Sequence, residues 1–146
     1  MRDRIAVSFF LDANVLFAAA HRSDGRCAGF VKLAREKGSL LLVSPYAQEE
    51  ARRNLDAKHP EALEGFHRLL RAVRTVKEAP PGSVREVMVQ GVPAADAPIL
   101  AAALQAKADY LVTGDRAHFG HLMDRADVPM RTQVLSVRGA LRILLE

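Results

Sequence analysis

Residues 6–14 read Ala-Val-Ser-Phe-Phe-Leu-Asp-Ala-Asn, an apolar run that stops abruptly at an acid. A run this apolar is typical of a central strand of a parallel sheet, which is buried on both faces. We therefore predict the first strand over residues 6–12. Asp12 then stands at the carboxyl end of that strand, on the edge where open α/β sheets bind their ligands.

The rest of the chain alternates short apolar stretches with helical patterns. Four further strands are predicted, over residues 40–43, 73–76 at an edge of the sheet, 110–113 and 134–137. Strands that alternate with helices are typical of a parallel sheet with helices on both faces. The predicted fold class is therefore α/β, with five parallel strands in the doubly wound order 3-2-1-4-5. In that order strands one and four are neighbours at the switch point.

Proline, glycine and small polar residues mark the helix boundaries. Ser44 before Pro45 is typical of a capped helix start, and Gly38 of a helix end. Ser83 and Glu86 match a capping box for a short helix. The other helices are predicted over residues 13–20, from about 27 to 37, from 44 to about 57, from 60 to about 70, over 96–107, and at the end of the chain.

The composition is that of a basic globular protein. The chain has 146 residues, 49% of them hydrophobic and 26% charged, with a net charge of +4. This length suggests a single domain over residues 1–146, and the charge favours a polyanionic partner. No apolar run approaches the roughly 18 residues of a bilayer span, and the stretch before Asp12 does not read as a signal peptide. The sequence therefore predicts a cytoplasmic protein with no membrane partner.

Four acids lie at the ends of apolar segments or beside them. Besides Asp12, Asp115 follows the fourth strand, Asp96 opens an Ala-rich helix, and Glu50 lies in the helix that begins at Ser44. Each has an ordinary alternative, because Asp often caps helices or forms turns and Glu is common on helix surfaces. Their joint occurrence at one predicted edge is the stronger signal, and we expect Asp12 and Asp115 to lie side by side.

Two adjacent glutamates in the third predicted helix are candidates to face the other acids. On a helix Glu49 and Glu50 point about 100° apart. The apolar stripe formed by Ala47, Ala51 and Leu55 borders Glu50 and lies opposite Glu49. We therefore predict that Glu50 faces the other acids and that Glu49 faces solvent.

Carboxylates gathered in one place repel each other unless a cation neutralises them. Oxygen ligands favour Mg²⁺ or Mn²⁺, and a single cysteine excludes a thiolate cluster. Asn14 and Thr113 are predicted to support the carboxylates, as residues around metal ligands often do. A carboxylate-only metal site on a small α/β domain points to phosphodiester chemistry.

Four segments together resemble the PIN-domain ribonucleases, and most closely their toxin-like (VapC-like) branch in toxin–antitoxin systems. The segments are FLDANVL at residues 10–16, EARRNL at 50–55, DAPILAAALQAKADYLVTGD at 96–115 and RAHF at 116–119. The resemblance implies a three-layer α/β/α fold and a Mg²⁺- or Mn²⁺-dependent endoribonuclease. Carried across by motif, the catalytic and metal-binding acids are Asp12, Glu50, Asp96 and Asp115.

The resemblance also implies a mechanism and partners. Hydrolysis of RNA by a metal-activated water would leave 5′-phosphates, with Arg116 contacting a substrate phosphate. His118 and His121 are further candidate phosphate contacts. Five arginines are candidates for the RNA path, although solvated helix faces are the ordinary explanation for most of them: Arg52, Arg53, Arg68, Arg71 and Arg74. The implied partners are RNA, an antitoxin protein and a second copy of the chain in a homodimer.

Two other functions stay open. One is a catalytically silent PIN-like domain that binds RNA or a protein. The other is an aspartate-based phosphotransferase, whose site also lies beyond strand one. That enzyme would need a second Asp two residues after Asp12, where this chain has Asn14, and a lysine late in the chain.

Overall fold

A five-stranded parallel sheet lies at the centre of the protein. The computed structural model describes residues 6–146, and its strands lie in the order β3-β2-β1-β4-β5. The strands are β1 Ser8–Leu11, β2 Leu40–Val43, β3 Arg74–Thr75, β4 Tyr110–Val112 and β5 Gln133–Leu135. Phe9, Phe10 and Leu11 are fully buried, as a continuous apolar run requires. The predicted fold class and strand order are confirmed.

Eight α-helices flank this sheet among residues 6–146. They are α1 Ala13–His21, α2 Arg26–Glu36, α3 Pro45–Lys58, α4 Leu63–Leu70, α5 Pro81–Val89, α6 Ala97–Gln105, α7 Arg116–Phe119 and α8 Val137–Leu145, with a 3₁₀ turn at Pro60–Ala62 between α3 and α4. α1 packs on α3 and α4, α5 packs on α6, and α2 packs on α8. Within residues 6–146, none of these helices combines the length and apolarity needed to cross a membrane.

Local signals placed several helix boundaries correctly. The Ser44 side chain accepts a hydrogen bond from the Ala47 amide at 3.2 Å, and Pro45 is the first residue of α3. Gly38 follows α2 with a φ of +76°, a conformation that glycine adopts without steric cost. Both features depend only on neighbouring residues, which is why the sequence predicts them.

The structure differs from the sequence analysis at the start of α5 and at α7, and both differences have a local cause. α5 begins at Pro81, so Ser83 lies inside the helix, and no side chain caps its start. Proline favours the first helical position because its φ is already helical, and here it begins the helix ahead of the apparent capping box. The one-turn helix α7 was not predicted, because four residues are too few to show helical periodicity.

The strand register sets the neighbours of Asp12. Leu11 of β1 lies opposite Val112 of β4, and the Asp12 amide donates to the Val112 carbonyl at 3.0 Å. The next residues along the two strands are Asp12 and Thr113, which therefore lie at the same level. The direct neighbour of Asp12 is thus Thr113 and not Asp115 as expected, because the loop after β4 carries Asp115 beyond the end of the strand.

Candidate metal centre

Four acids from different parts of the chain face one another at the carboxyl edge of the sheet. Asp12 follows β1, Glu50 lies in α3, Asp96 precedes α6, and Asp115 precedes α7. Burial is the largest cause of a raised pKa at Asp12, Glu50 and Asp96, and the charges of neighbouring acids raise the pKa of each further. The fold therefore brings the four sequence-predicted acids within electrostatic range of one another.

Asp12 is the most buried of the four, with 3% of its surface exposed. Its Oδ1 accepts from the Ala13 amide at 2.7 Å and thereby caps α1. Its Oδ2 accepts from the Thr113 hydroxyl at 2.6 Å. Asp12 therefore caps α1, as the alternative explanation of this residue predicts. Its second oxygen is at the same time held at the edge of the sheet.

The surroundings of Asp12 disfavour its ionised form. Burial raises its pKa from 3.8 to about 6, and the charges of Asp96 and Glu50 act in the same direction. The hydrogen bonds from Thr113 and Ala13 lower the pKa but do not offset burial. Ionisation of a buried carboxylate is costly by itself but becomes favourable beside a cation, because the opposite charge stabilises the ionised form.

Asn14 and Thr113 connect the loop after β1 to the loop after β4. Asn14 donates through Nδ2 to Asp12 Oδ2 at 3.1 Å and accepts through Oδ1 from the Gly114 amide at 2.9 Å. The buried Thr113 hydroxyl accepts from the Asp115 amide at 3.0 Å. These bonds fix the two loops relative to each other and hold Asp12 in one orientation.

Asp96 keeps one oxygen without a protein partner. It occupies the cap position of α6 but makes no capping hydrogen bond, so the helix-cap alternative does not account for it. Its Oδ2 is buried and accepts no hydrogen bond from residues 6–146. His118 Nδ1 lies 2.6 Å from this oxygen, but the contact does not have hydrogen-bond geometry. The carboxylate oxygen and the imidazole nitrogen are both atom types that can ligate a metal ion.

The short helix α7 places His118 next to two of the acids. Asp115 Oδ1 accepts from the His118 amide at 3.0 Å and begins the helix, while Asp115 Oδ2 lies 2.9 Å from His118 Nδ1. Asp96, Asp115 and His118 each offer a ligand atom, and these atoms lie within 4.8 Å of one another. The imidazole that the sequence suggested as a phosphate contact therefore faces the carboxylates.

The two glutamates of α3 separate in the orientation predicted from the helix. Glu50 is half-buried, and burial followed by the charge of Asp96 raises its pKa. Glu49 pairs with Arg52 at 2.6 Å on the surface, and that hydrogen bond lowers the pKa of Glu49. Glu50 therefore faces the other acids and Glu49 faces solvent.

Tyr46 is a residue of the site that the sequence analysis did not single out. Its hydroxyl donates to the Ala95 carbonyl at 2.7 Å, next to Asp96 in the chain. Burial, followed by the charges of Glu50 and Asp96, raises the pKa of Tyr46. The available signal was the spacing of four residues between Tyr46 and Glu50, which places both on one face of α3.

The ligand set fits a hard divalent cation. Ligand atoms of Asp96, Asp115 and His118 lie within 4.8 Å of one another, and the charges of Asp12 and Glu50 act on the same group. Sites rich in carboxylate oxygens suit Mg²⁺ or Mn²⁺. Burial, and after it the charges of neighbouring acids, raises the pKa values of Asp12, Glu50 and Asp96, and a cation would stabilise the ionised form of each. The residues present are therefore suited to hold such an ion.

Other residues named from the sequence lie around the acids or away from them. Arg116 is exposed and lines a cleft beside β5 and α8. His121 contacts the Gln90 carbonyl through Nε2 at 2.8 Å. Arg52 and Arg68 pair with glutamates of their own helices, which agrees with the interpretation of solvated helix faces.

Sequence comparison gives one family. The sequence profile of the PIN domain matches residues 8–117, a span that runs from β1 into α7 and includes all four acids. A search of curated proteins finds no significant match.

Solved structures share the fold at low sequence identity. VapBC2 from Rickettsia felis, solved bound to a DNA fragment from its promoter, has 13% identity and a TM-score of 0.69, with 89% of this chain and 98% of that chain covered. PAE2754 from Pyrobaculum aerophilum has 21% identity and a TM-score of 0.67, with 95% and 90% covered. VapC20 from Mycobacterium tuberculosis, described as a sarcin–ricin loop cleaving toxin, has 15% identity and a TM-score of 0.54, with 77% and 94% covered. At these identities the likeness shows the fold alone.

Proposed function

The chain belongs to the PIN-domain family, and from that membership we propose that it is a metal-dependent endoribonuclease, the toxin of a toxin–antitoxin pair. The observation that carries the proposal is the group of ligand atoms from Asp96, Asp115 and His118, which lie within 4.8 Å of one another. This group lies among carboxylates whose pKa values are raised by burial and by one another. We treat residues 1–146 as one nuclease domain.

In this proposal the residues of the site have separate roles. The carboxylates that would hold the metal belong to Asp12, Glu50, Asp96 and Asp115. When bound, Mg²⁺ or Mn²⁺ supplies a polarised water and neutralises charge on the phosphate. Thr113 and Asn14 hold Asp12 in place, so it does not have to reorient during the reaction. Glu50 would accept a proton from the attacking water, a role that suits a carboxylate whose pKa is raised by burial.

A basic cleft that includes Arg116, the residue after Asp115, supports RNA as the substrate. It has a volume of about 630 Å³ and is lined by residues of β5, α8 and the start of α7. Arg116, Arg138 and Arg142 line it, and none of them forms an ion pair within the described part of the chain. The acid Asp124 accepts from the Ser136 hydroxyl at 2.7 Å. Arg125 and Glu146 also line the cleft, so four arginines face two acidic side chains and the lining has excess positive charge for phosphate groups.

Replacing Arg138 and Arg142 together by alanine is expected to weaken RNA binding about tenfold or more at moderate salt. Each phosphate contact on a single strand contributes about 0.7 to the slope of log affinity against log salt, so the slope should fall by about 1.4. Fluorescence anisotropy with the Asp96→Asn chain measures both quantities without cleavage of the RNA.

The matched control replaces Arg68 and Arg71 by alanine. This pair carries the same charge but lies at α4, which contributes no residue to the cleft. If both double variants lose affinity equally, net charge alone is responsible and the cleft is not the RNA path.

The nuclease activity itself is tested with purified protein, labelled structured RNA and either Mg²⁺ or Mn²⁺. RNA that contains the sarcin–ricin loop is the first substrate to try, because VapC20 is described as cleaving that loop. We expect internal cuts that leave 5′-phosphates, that disappear in EDTA and that return with excess metal. Cleavage that persists in EDTA would contradict the proposal. Metal binding without cleavage of any RNA would favour the catalytically silent binding domain.

The partners in this proposal are RNA, an antitoxin and a second copy of the chain. VapBC2, solved on its promoter DNA, and VapC20, described as a toxin, support the antitoxin partner. The RNA and homodimer proposals follow from the resemblance of the sequence to toxin-like PIN ribonucleases. Copurification with the product of a neighbouring small reading frame would test it. The phosphotransferase alternative is disfavoured, because Asp12 is 3% exposed and both of its oxygens accept hydrogen bonds.

A further inference from the structure

A second group of metal-ligand side chains lies at the other end of α1 and α3. His21 ends α1, while His59 and Glu61 lie between α3 and α4. Each offers one ligand atom, and these atoms lie within 4.8 Å of one another. α1 starts directly after Asp12 and has nine residues, so it spans about 13 Å. The group is therefore separate from the four acids.

The two imidazoles are already in contact. Their ring centroids are 3.6 Å apart and their planes differ by 20°. His59 Nδ1 lies 3.5 Å from Glu61 Oε2. The Phe17 ring lies 5.9 Å from both imidazoles and forms an apolar side of the group. Both side chains are partly exposed, so a ligand can reach the group from solvent.

The backbone around His59 is fixed on both sides. Its amide donates to the Leu55 carbonyl at 2.7 Å, and its carbonyl accepts from the Ala62 amide at 2.9 Å. Pro60, which follows it, restricts the conformation further. Because α1 packs on α3 and α4, His21 approaches the group from an equally fixed element. The three ligand atoms, already within 4.8 Å of one another, are therefore carried by fixed backbone segments.

We propose that His21, His59 and Glu61 form a binding site for a transition-metal ion of the Zn²⁺ class. Two imidazole nitrogens and one carboxylate oxygen, with a fourth position left for water, are a ligand set that Zn²⁺ accepts. The same set is poor for Mg²⁺, which prefers oxygen ligands, so the two sites of the chain differ in metal selectivity. The nearly parallel rings turn about their Cβ–Cγ bonds to converge, and their partial exposure leaves room for that rotation. A bound ion ties the end of α1 to the turn between α3 and α4.

The test uses tag-free, full-length protein that carries Asp96→Asn and His118→Gln, which weaken the acidic site. Calorimetric titration with ZnCl₂ is expected to show one saturable equivalent. His21→Gln or His59→Gln should weaken this binding about tenfold or more, since even residues that only orient metal ligands change affinity by about 10–100-fold. His67→Gln, an exposed histidine of α4 outside the group, is the matched control and should bind zinc unchanged.

A second readout requires no substitution within the group. One equivalent of Zn²⁺ should shift the ring-nitrogen NMR signals of His21 and His59 and leave that of His67 in place. Ligand binding to the folded state should also raise the melting temperature by several degrees at saturating zinc. Absence of saturable binding, or equal zinc affinity in the His21, His59 and His67 variants, would overturn the proposal.

Discussion

Replacing Asp96 by asparagine is expected to reduce RNA cleavage about a thousandfold or more, a loss of about 4 kcal/mol in transition-state stabilisation. Asparagine keeps the size of the side chain, and α6 does not depend on the carboxylate, because Asp96 makes no capping hydrogen bond. The substitution removes one negative charge and replaces one of the two carboxylate oxygens, Oδ1 or the buried Oδ2, by an amide nitrogen. An amide nitrogen cannot ligate a cation, so the loss should appear in metal binding as well as in rate.

The adjacent glutamates of α3 give a matched comparison for the same experiment. Glu50→Gln should lose most of the activity, because Glu50 faces the other acids. Glu49→Gln should keep it, because Glu49 pairs with Arg52 on the surface, and such pairs contribute little. Single-turnover cleavage and calorimetry with Mn²⁺ measure both effects. A folded Asp96→Asn protein that cleaves RNA within tenfold of the wild-type rate would remove Asp96 from the metal site.

The metal-free protein is expected to become less stable as pH rises from about 4 to about 7. Burial raises the pKa of Asp12 from 3.8 to about 6 in the folded state. A folded-state pKa above the unfolded value stabilises the protein below the unfolded pKa, and this contribution is lost as pH rises through the folded pKa. For Asp12 the loss amounts to about 3 kcal/mol. The raised pKa values of Glu50 and Asp96 act in the same direction.

The comparison that isolates Asp12 is the wild type against Asp12→Asn in EDTA. Asparagine cannot ionise, so the variant should gain up to about 3 kcal/mol in unfolding free energy relative to the wild type between pH 4 and pH 7.5. Any fixed cost of altered hydrogen bonding to Thr113 is the same at both pH values and cancels. Urea denaturation measures the difference, and a constant difference across this range would show that Asp12 titrates normally.

Metal should reverse the pH effect in the wild type only. An ion that binds the folded state adds to its stability by mass action, and Mg²⁺ or Mn²⁺ at pH 7.5 should recover much of what ionisation of Asp12 costs. Asp12→Asn should show little recovery. If Asp12→Asn is more stable than the wild type without metal and inactive with metal, the Asp12 carboxylate lowers the stability of the protein but is required for its activity.

The fold can be predicted from the sequence because each step of the prediction depends on residues that are close together in the chain. The buried run through Phe9, Phe10 and Leu11 indicates a central strand, since a strand covered on both faces has no polar side. Residues 40–43 were predicted as a strand and form β2, and Ser44-Pro45 begins α3 as expected. The alternation of strands and helices then limits the sheet to few topologies.

The detailed site depends on contacts between distant segments. Thr113 meets Asp12 because of the register between β1 and β4, and nothing near either residue in the chain specifies that register. His118 reaches Asp96 only because a one-turn helix forms after Asp115.

The sequence by itself therefore supplied the fold class, the strand order and the identity of the four acids. The fold class follows from apolar burial and from the alternation of strands and helices. The strand order is that of a doubly wound sheet, and the four acids were chosen from their places at strand and helix ends and from the PIN-domain motifs. The tertiary structure decided which of their oxygens are satisfied, how Tyr46 joins the site, and that His21 stacks on His59 at the far end of the helices. Such pairings depend on register and helix packing, which are set by the whole core and not by any local stretch.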